Sequence, residues 1–374
     1  MNDSRRNFLK LSALAGVGLA GNLPPAAAIT GRGTPERPGG KTIDLQIAGY
    51  PYEHVRALID GAVPVEGCNT SFRQGKIGAL NTNVFSGPQT LAVTEIGLSP
   101  FMHAYANDEF RDYSLVPVFP LRLFRHKSVF VHADRGIRRP EDLKGRRVGT
   151  PGYSSTSLTW IRGFLKHDYG VDPSDMEWVV SATDSSAKDA GKVSRQENVL
   201  PDGISVRVGP DGKDESDLLL DGDVDALLHG IEPRAFVEGH PKVKRLFEDP
   251  RAVERDYFAR TGLFPIMHAV AIRNDLIDAN PWLPEAVCNA YSQAKQRRYE
   301  AMRMGWVMET LPWFGQEFDE TRKLMGDNFW PYGIEANKTS LNALFQYSHE
   351  QGLARRRLTI EELFHPSTLE FTEP

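Results

Sequence analysis

Cysteine is scarce in this chain: only Cys68 and Cys288 occur in 374 residues. A framework of several disulfides is therefore excluded, although these two could pair in an oxidising compartment. There is no C-x-x-C, no H-E-x-x-H and no close histidine pair, so the usual metal-ligand spacings are missing. A Walker loop, a G-x-G-x-x-G turn and a G-x-S-x-G elbow are missing too. The sequence thus predicts no metal and no cofactor. Long apolar runs are also lacking. The best, residues 11–20, falls well short of the ~20 residues that cross a bilayer. Nor is there a basic excess. The formal charge is −5. The segment up to Ala28 carries +2 (Arg5, Arg6 and Lys10 against Asp3), which leaves −7 for the rest. An acidic chain without a basic run argues against nucleic acid or an anionic membrane as partner.

What is present begins at the N-terminus. Residues 4–10 read SRRNFLK, a pattern similar to the twin-arginine export motif. A weakly apolar run follows, then PPAAA at 24–28, a small-residue cleavage site. This order describes a signal peptide over residues 1–28, and hence a periplasmic protein with no span after cleavage. Residues 29–41 are rich in Gly and Pro and read as a leader.

Beyond residue 41, strand-like and helix-like stretches alternate. Strands are predicted at 43–48, 91–96, 115–119, 128–132, 147–149, 177–181, 224–229 and 264–273. Helices are predicted at 52–59, from 101, at 154–168 and over most of 281–364. Such alternation gives parallel sheets covered by helices, an α/β fold. The length exceeds one core, so two lobes are expected. Lobe one combines residues 42–132 and 263–374, and lobe two spans 133–262. The polar stretch 182–212 reads as a surface insertion without function. The many C-terminal aromatics, Trp306 and Trp313 included, read as core.

Several blocks carry a family resemblance. They are VPVFPLRLFRH at 116–126, IRRPEDLKGRRVG at 137–149, TGLFPIMH at 261–268, LMGDNFWPYG at 324–333 and YSHEQGL at 347–353. Together they resemble the 4,5-dihydroxyphthalate decarboxylase family over about residues 43–369. The PEDLKGRRVG portion alone is similar to type II periplasmic binding proteins. The resemblance implies the two-lobed type II binding-protein fold with a ligand cleft between the lobes. The chain departs from the family pattern at 150–157, where Gly152 replaces a glutamate, and in the loop at 95–101.

Candidate site residues follow from chemistry. Ser154, Ser155 and Thr156 open a helix whose free N–H groups suit a carboxylate. Arg122, Arg125 and His126 follow a strand near the crossover, where a guanidinium can grip a carboxylate in a fork. Tyr50 and Tyr153 can cover an aromatic ring. Glu95 and Ser99 lie in a loop of lobe one, Arg234 where the chain leaves lobe two, and His268 at the end of an apolar strand. Arg73 is a weaker candidate, better read as solvated. Two functions stay open. The leading one is an exported solute receptor that captures a small organic anion, a phthalate- or hydroxybenzoate-like aromatic acid, for a membrane permease. The other is a cofactor-free decarboxylase of such an acid, with His268 or His126 as the catalytic acid.

Overall fold

The computed structural model describes residues 42–373, so the export-type stretch, the cleavage site and the leader lie outside the described residues. The chain builds two sheets flanked by helices. The first contains strands Ile43–Gly49 (β1), Cys68–Gln74 (β2), Val93–Gly97 (β3), Tyr113–Val116 (β4) and His268–Arg273 (β11). The second contains Val129–His132 (β5), Arg147–Thr150 (β6), Glu177–Val180 (β7), Val206–Val208 (β8), Ala226–Leu228 (β9) and Val243–Arg245 (β10). Strand order is β2-β1-β3-β11-β4 in one and β10-β5-β9-β6-β7-β8 in the other.

The burial of each strand explains its place. β3 is buried at every position and sits centrally, as a strand covered on both faces must. β2 reads CNTSFRQ, half-buried or exposed throughout, and takes the edge. Both sheets are mixed. β1 pairs in parallel with β2 and β3, whereas β11 runs antiparallel to β3 and β4. In the second sheet β6, β7, β8 and β9 are parallel, β5 runs against them, and β10, antiparallel to β5 at the edge, shares their direction.

β11 returns to the first sheet after every strand of the second has been laid down. The chain therefore passes between the sheets twice, after β4 and before β11. The two passages run side by side: Leu123 N donates to Pro265 O (3.0 Å), and Met267 N to Leu121 O (2.8 Å). This explains why the predicted strand 264–273 is regular only from His268. Pro265 has no N–H to give a ladder, and residues before His268 pair with the other passage instead.

Other expectations need correction. Strand Val129–His132, assigned by sequence to lobe one, pairs with β9 and β10 and belongs to the second sheet. Trp306 and Trp313 are 72% and 68% exposed, not core. The pairing of Cys68 with Cys288, which the sequence leaves open, does not form. The C-terminal helix Lys338–Glu350 packs on helix Thr156–Tyr169. Its Tyr347 ring fills the space over Gly163, where a Cβ would lie 2.0 Å from Cδ2. No helix among the described residues is long and apolar enough to cross a membrane.

Candidate functional site

A cavity of about 320 Å3 opens where several strands of both sheets end. Tyr50 follows β1, Gly97 ends β3, Pro151 follows β6, and Gly230 and Ile231 follow β9. This is where open α/β sheets bind ligands.

Arg125 lines the cavity and is only 4% exposed. Its Nη1 donates to Gly230 O (2.6 Å) and its Nε to Met267 Sδ (3.2 Å). Both acceptors are neutral. Among the described residues no carboxylate forms an ion pair with it. Burial lowers its pKa to about 10, so it stays charged at neutral pH. Glu254 acts on it only through the field, without an ion pair, and a buried guanidinium so weakly matched is costly unless an anion completes it. Beside it, helix Thr156–Tyr169 begins at the cavity. Ser155 caps that helix by accepting from Leu158 N (3.4 Å). The N–H groups of Thr156 and Ser157 belong to the first turn, which has no intrahelical acceptors. Arginine and helix start therefore make one electropositive wall.

The facing wall is built on Glu95, which is 1% exposed within β3. Its Oε1 accepts from Tyr52 Oη (2.7 Å) and pairs with His268 Nδ1 (2.5 Å). Its Oε2 accepts from Tyr50 N (2.9 Å). Gly49 makes this approach feasible, since a Cβ there would lie 2.9 Å from Oε2. The carboxylate fixes the imidazole so that Nε2 is the nitrogen left for the cavity that His268 lines. Among the described residues Nε2 has no hydrogen-bond partner. The Tyr50 ring stacks near His268 at 6.3 Å, with 26° between planes. Tyr50 Oη accepts from Ile77 N (2.9 Å), which holds the ring in place.

Of the residues singled out by sequence, Tyr50, Arg125, Ser155, Thr156 and His268 line the cavity. Glu95 sits behind His268. Ser99 is buried, and its N–H donates to Thr156 Oγ1 (3.0 Å) across the helix start. Six others lie elsewhere. Arg122 donates to Asn337 Oδ1 (2.6 Å) and Phe264 O (2.7 Å), which ties a crossing passage to the C-terminal region. His126 is stacked on Phe164 at 4.2 Å, with Phe247 and Tyr257 at its edges. Burial there lowers its pKa to about 4 and keeps it neutral. Tyr153 is fully buried beneath the Arg162 guanidinium (4.0 Å). Ser154 Oγ donates to Gln196 O (3.0 Å) and accepts from Val199 N (2.8 Å). Arg234 is a surface residue paired with Asp214 (2.9 Å) and Asp217 (2.6 Å). Arg73 is exposed.

Sequence reasoning missed one side of the site entirely. Residues 182–212 are no idle insertion, because Asp184, Asp189, Gly191 and Glu197 line the cavity. The stretch is anchored to the first sheet's side. Tyr50 Oη lies 3.4 Å from Asp189 O, Lys76 Nζ donates to Lys188 O, and His103 Nδ1 bonds Gln196 O (3.0 Å). Its polarity hid it, since a cavity roof has no hydrophobic period to detect.

Comparison with known proteins fits this architecture. A sequence-family model described as NMT1/THI5 like matches residues 94–193. A 4,5-dihydroxyphthalate decarboxylase of Comamonas testosteroni is 37% identical, with 88% of this chain and 98% of that protein aligned. One of Pseudomonas putida is 33% identical over 58% of this chain and 81% of its own. Among solved structures, the periplasmic sulfonate-binding protein SsuA of Methylobacillus flagellatus KT superposes with a TM-score of 0.51 at 15% identity. It covers 88% of this chain and 93% of its own, a likeness of fold.

Proposed function

The chain belongs to the 4,5-dihydroxyphthalate decarboxylase family, and from that premise we propose that it removes a carboxyl group from a hydroxylated phthalate in the cavity between its sheets. The observation that carries this reading is the Glu95–His268 pair (2.5 Å) in the same cavity as the unpaired Arg125. A phthalate has two adjacent carboxylates. Arg125 and the start of helix Thr156–Tyr169 hold one of them, which stays. The other leaves as CO2 when its bond to the ring breaks. The electron pair of that bond falls on the ring carbon, which takes a proton from His268 Nε2. Glu95 stabilises the protonated imidazole before the transfer, and water restores the proton afterwards. Tyr50 keeps the ring in plane against His268.

A second reading is favoured by the export-type pattern at residues 4–10. Under it the same cavity captures an aromatic carboxylate outside the cytoplasm and delivers it to a permease. Incubation with 4,5-dihydroxyphthalate separates the two. The decarboxylase reading expects stoichiometric CO2 and a monocarboxylate product. It also expects His268→Ala to lower kcat at least about 100-fold while Kd stays within a few-fold. Recovery of intact ligand from a tight complex would instead establish the receptor.

A further inference from the structure

Behind the cavity wall lies a second cluster, formed by Asp184, Glu215 and His229. Each offers one ligand atom, and these atoms lie within 4.8 Å of one another. Glu215 and His229 have no exposed side-chain surface. Asp184, partly exposed, also lines the main cavity.

The hydrogen bonds around the cluster orient it inward. Glu215 Oε1 accepts from Ser181 Oγ (2.6 Å), and Oε2 accepts from Ser185 Oγ (2.8 Å) and Ser185 N (3.2 Å). Asp184 Oδ1 accepts from Ser186 N (2.8 Å) and Oγ (2.6 Å), which leaves Oδ2 for another partner. His229 Nδ1 is in hydrogen-bond contact with the carbonyl of Ile231. The Ile231 N–H also reaches Nδ1 (3.2 Å), so that residue offers this nitrogen both a donor and an acceptor, and Nε2 is the nitrogen left for the cluster. That Nε2 is fully buried and has no hydrogen-bond partner among the described residues. Its nearest neighbour is Glu215 Oε2 at 3.5 Å. A buried imidazole nitrogen without a hydrogen bond beside two carboxylates is costly unless a proton or a metal ion bridges them.

We propose that Asp184, Glu215 and His229 bind a divalent transition-metal cation of the Zn2+, Co2+ or Mn2+ class on the wall of the ligand cavity. One imidazole and two carboxylates are a ligand set for such ions, with a position left for water or ligand. Bonds of about 2.0–2.2 Å at tetrahedral angles place ligand atoms about 3.4 Å apart. The His229–Glu215 spacing already matches. Asp184, the one partly exposed member, closes the remaining distance by turning. A carbonyl behind the metal-binding imidazole and serines behind the carboxylate are the outer shell that such sites use. The inference is independent of the decarboxylase reading, because it concerns the protein without aromatic ligand.

The test is calorimetric titration of the chelator-dialysed full chain with Zn2+, Co2+ and Mn2+, without any carboxylate ligand. One equivalent of at least one of them should bind, and bound Co2+ should show visible d–d absorption. Asp184→Asn should weaken binding at least tenfold, and His229→Gln should abolish it, with circular dichroism unchanged. Should His229→Gln fail to fold, the half-exposed Asp184→Asn alone decides. The absence of one-equivalent binding by any of the three ions overturns the proposal. So does binding that Asp184→Asn leaves intact, or a nitrogen NMR signature of a doubly protonated His229 in the metal-free protein at neutral pH.

Discussion

The two basic residues flanking the crossing passages, Arg125 and His126, are neighbours in sequence with opposite fates. Arg125 turns to the cavity with only neutral acceptors. Arg125→Ala should weaken phthalate binding by about 1.5–3 kcal/mol, the size of a lost charge-assisted hydrogen bond, as measured by calorimetry. An unchanged dissociation constant would remove Arg125 from the site. His126 turns the other way, into a nest of aromatic rings, where neither ring nitrogen has a hydrogen-bond partner among the described residues. Its pKa of about 4 lies below the ordinary 6.5, so at neutral pH the shift contributes nothing. As pH falls from 6.5 towards 4 the unfolded chain binds a proton that the folded one refuses. Stability is lost over that window, about 2 kcal/mol by pH 5 from this residue. His54 and His103, also lowered to about 4 by burial, act in the same direction. His126→Phe should therefore reduce the fall in Tm between pH 7 and pH 5, and an equal fall would contradict the assignment. Residue type announced the chemistry of both side chains. Which way each would face was not legible, because the irregular passage around them has no period to set direction. The cluster of Asp184, Glu215 and His229 was invisible for a related reason. Its members are far apart in sequence, and only the fold assembles them.

At the scale of elements, the strands that were legible had apolar runs, such as Val129–His132 and His268–Arg273. Those missed are polar or short: Cys68–Gln74 at an edge, Val206–Val208 and Val243–Arg245. Their pairing is dictated by neighbours and not by their own pattern. The helix Thr156–Tyr169 was read almost to the residue because its hydroxyl cap and its glycine stop, Gly170 in the left-handed region (φ 64°), are both local signals. Its packing was not legible. Gly163 leaves room for the Tyr347 ring of helix Lys338–Glu350, and one methyl group there collides with ring carbons at 2.0 and 2.4 Å. Gly163→Ala raises helix propensity by about 1 kcal/mol, yet it should lower stability by about 1–3 kcal/mol because the overpacked contact wins. Denaturant unfolding measures the sign. A more stable variant would mean that the helix pair yields easily.

For the whole molecule, two mixed sheets joined by a double passage make a cavity whose walls come from both sides. A ligand bound there stabilises the native state by mass action. At 100-fold excess over Kd the gain is about 2.7 kcal/mol, read as a rise in Tm. The two-sheet plan was legible from alternating strands and helices and from the resemblance that the blocks carry. The roof was not, for residues 182–212 look like any solvated loop. That roof leaves from β7 of one sheet, rests on residues beside β1 of the other, and returns to give β8. Neither sheet depends on its middle portion for hydrophobic core. The fold thus separates the part that must be kept from the part that chooses. Exchange of this one stretch would change the walls that a bound molecule meets, as a lock changes its wards and keeps its case.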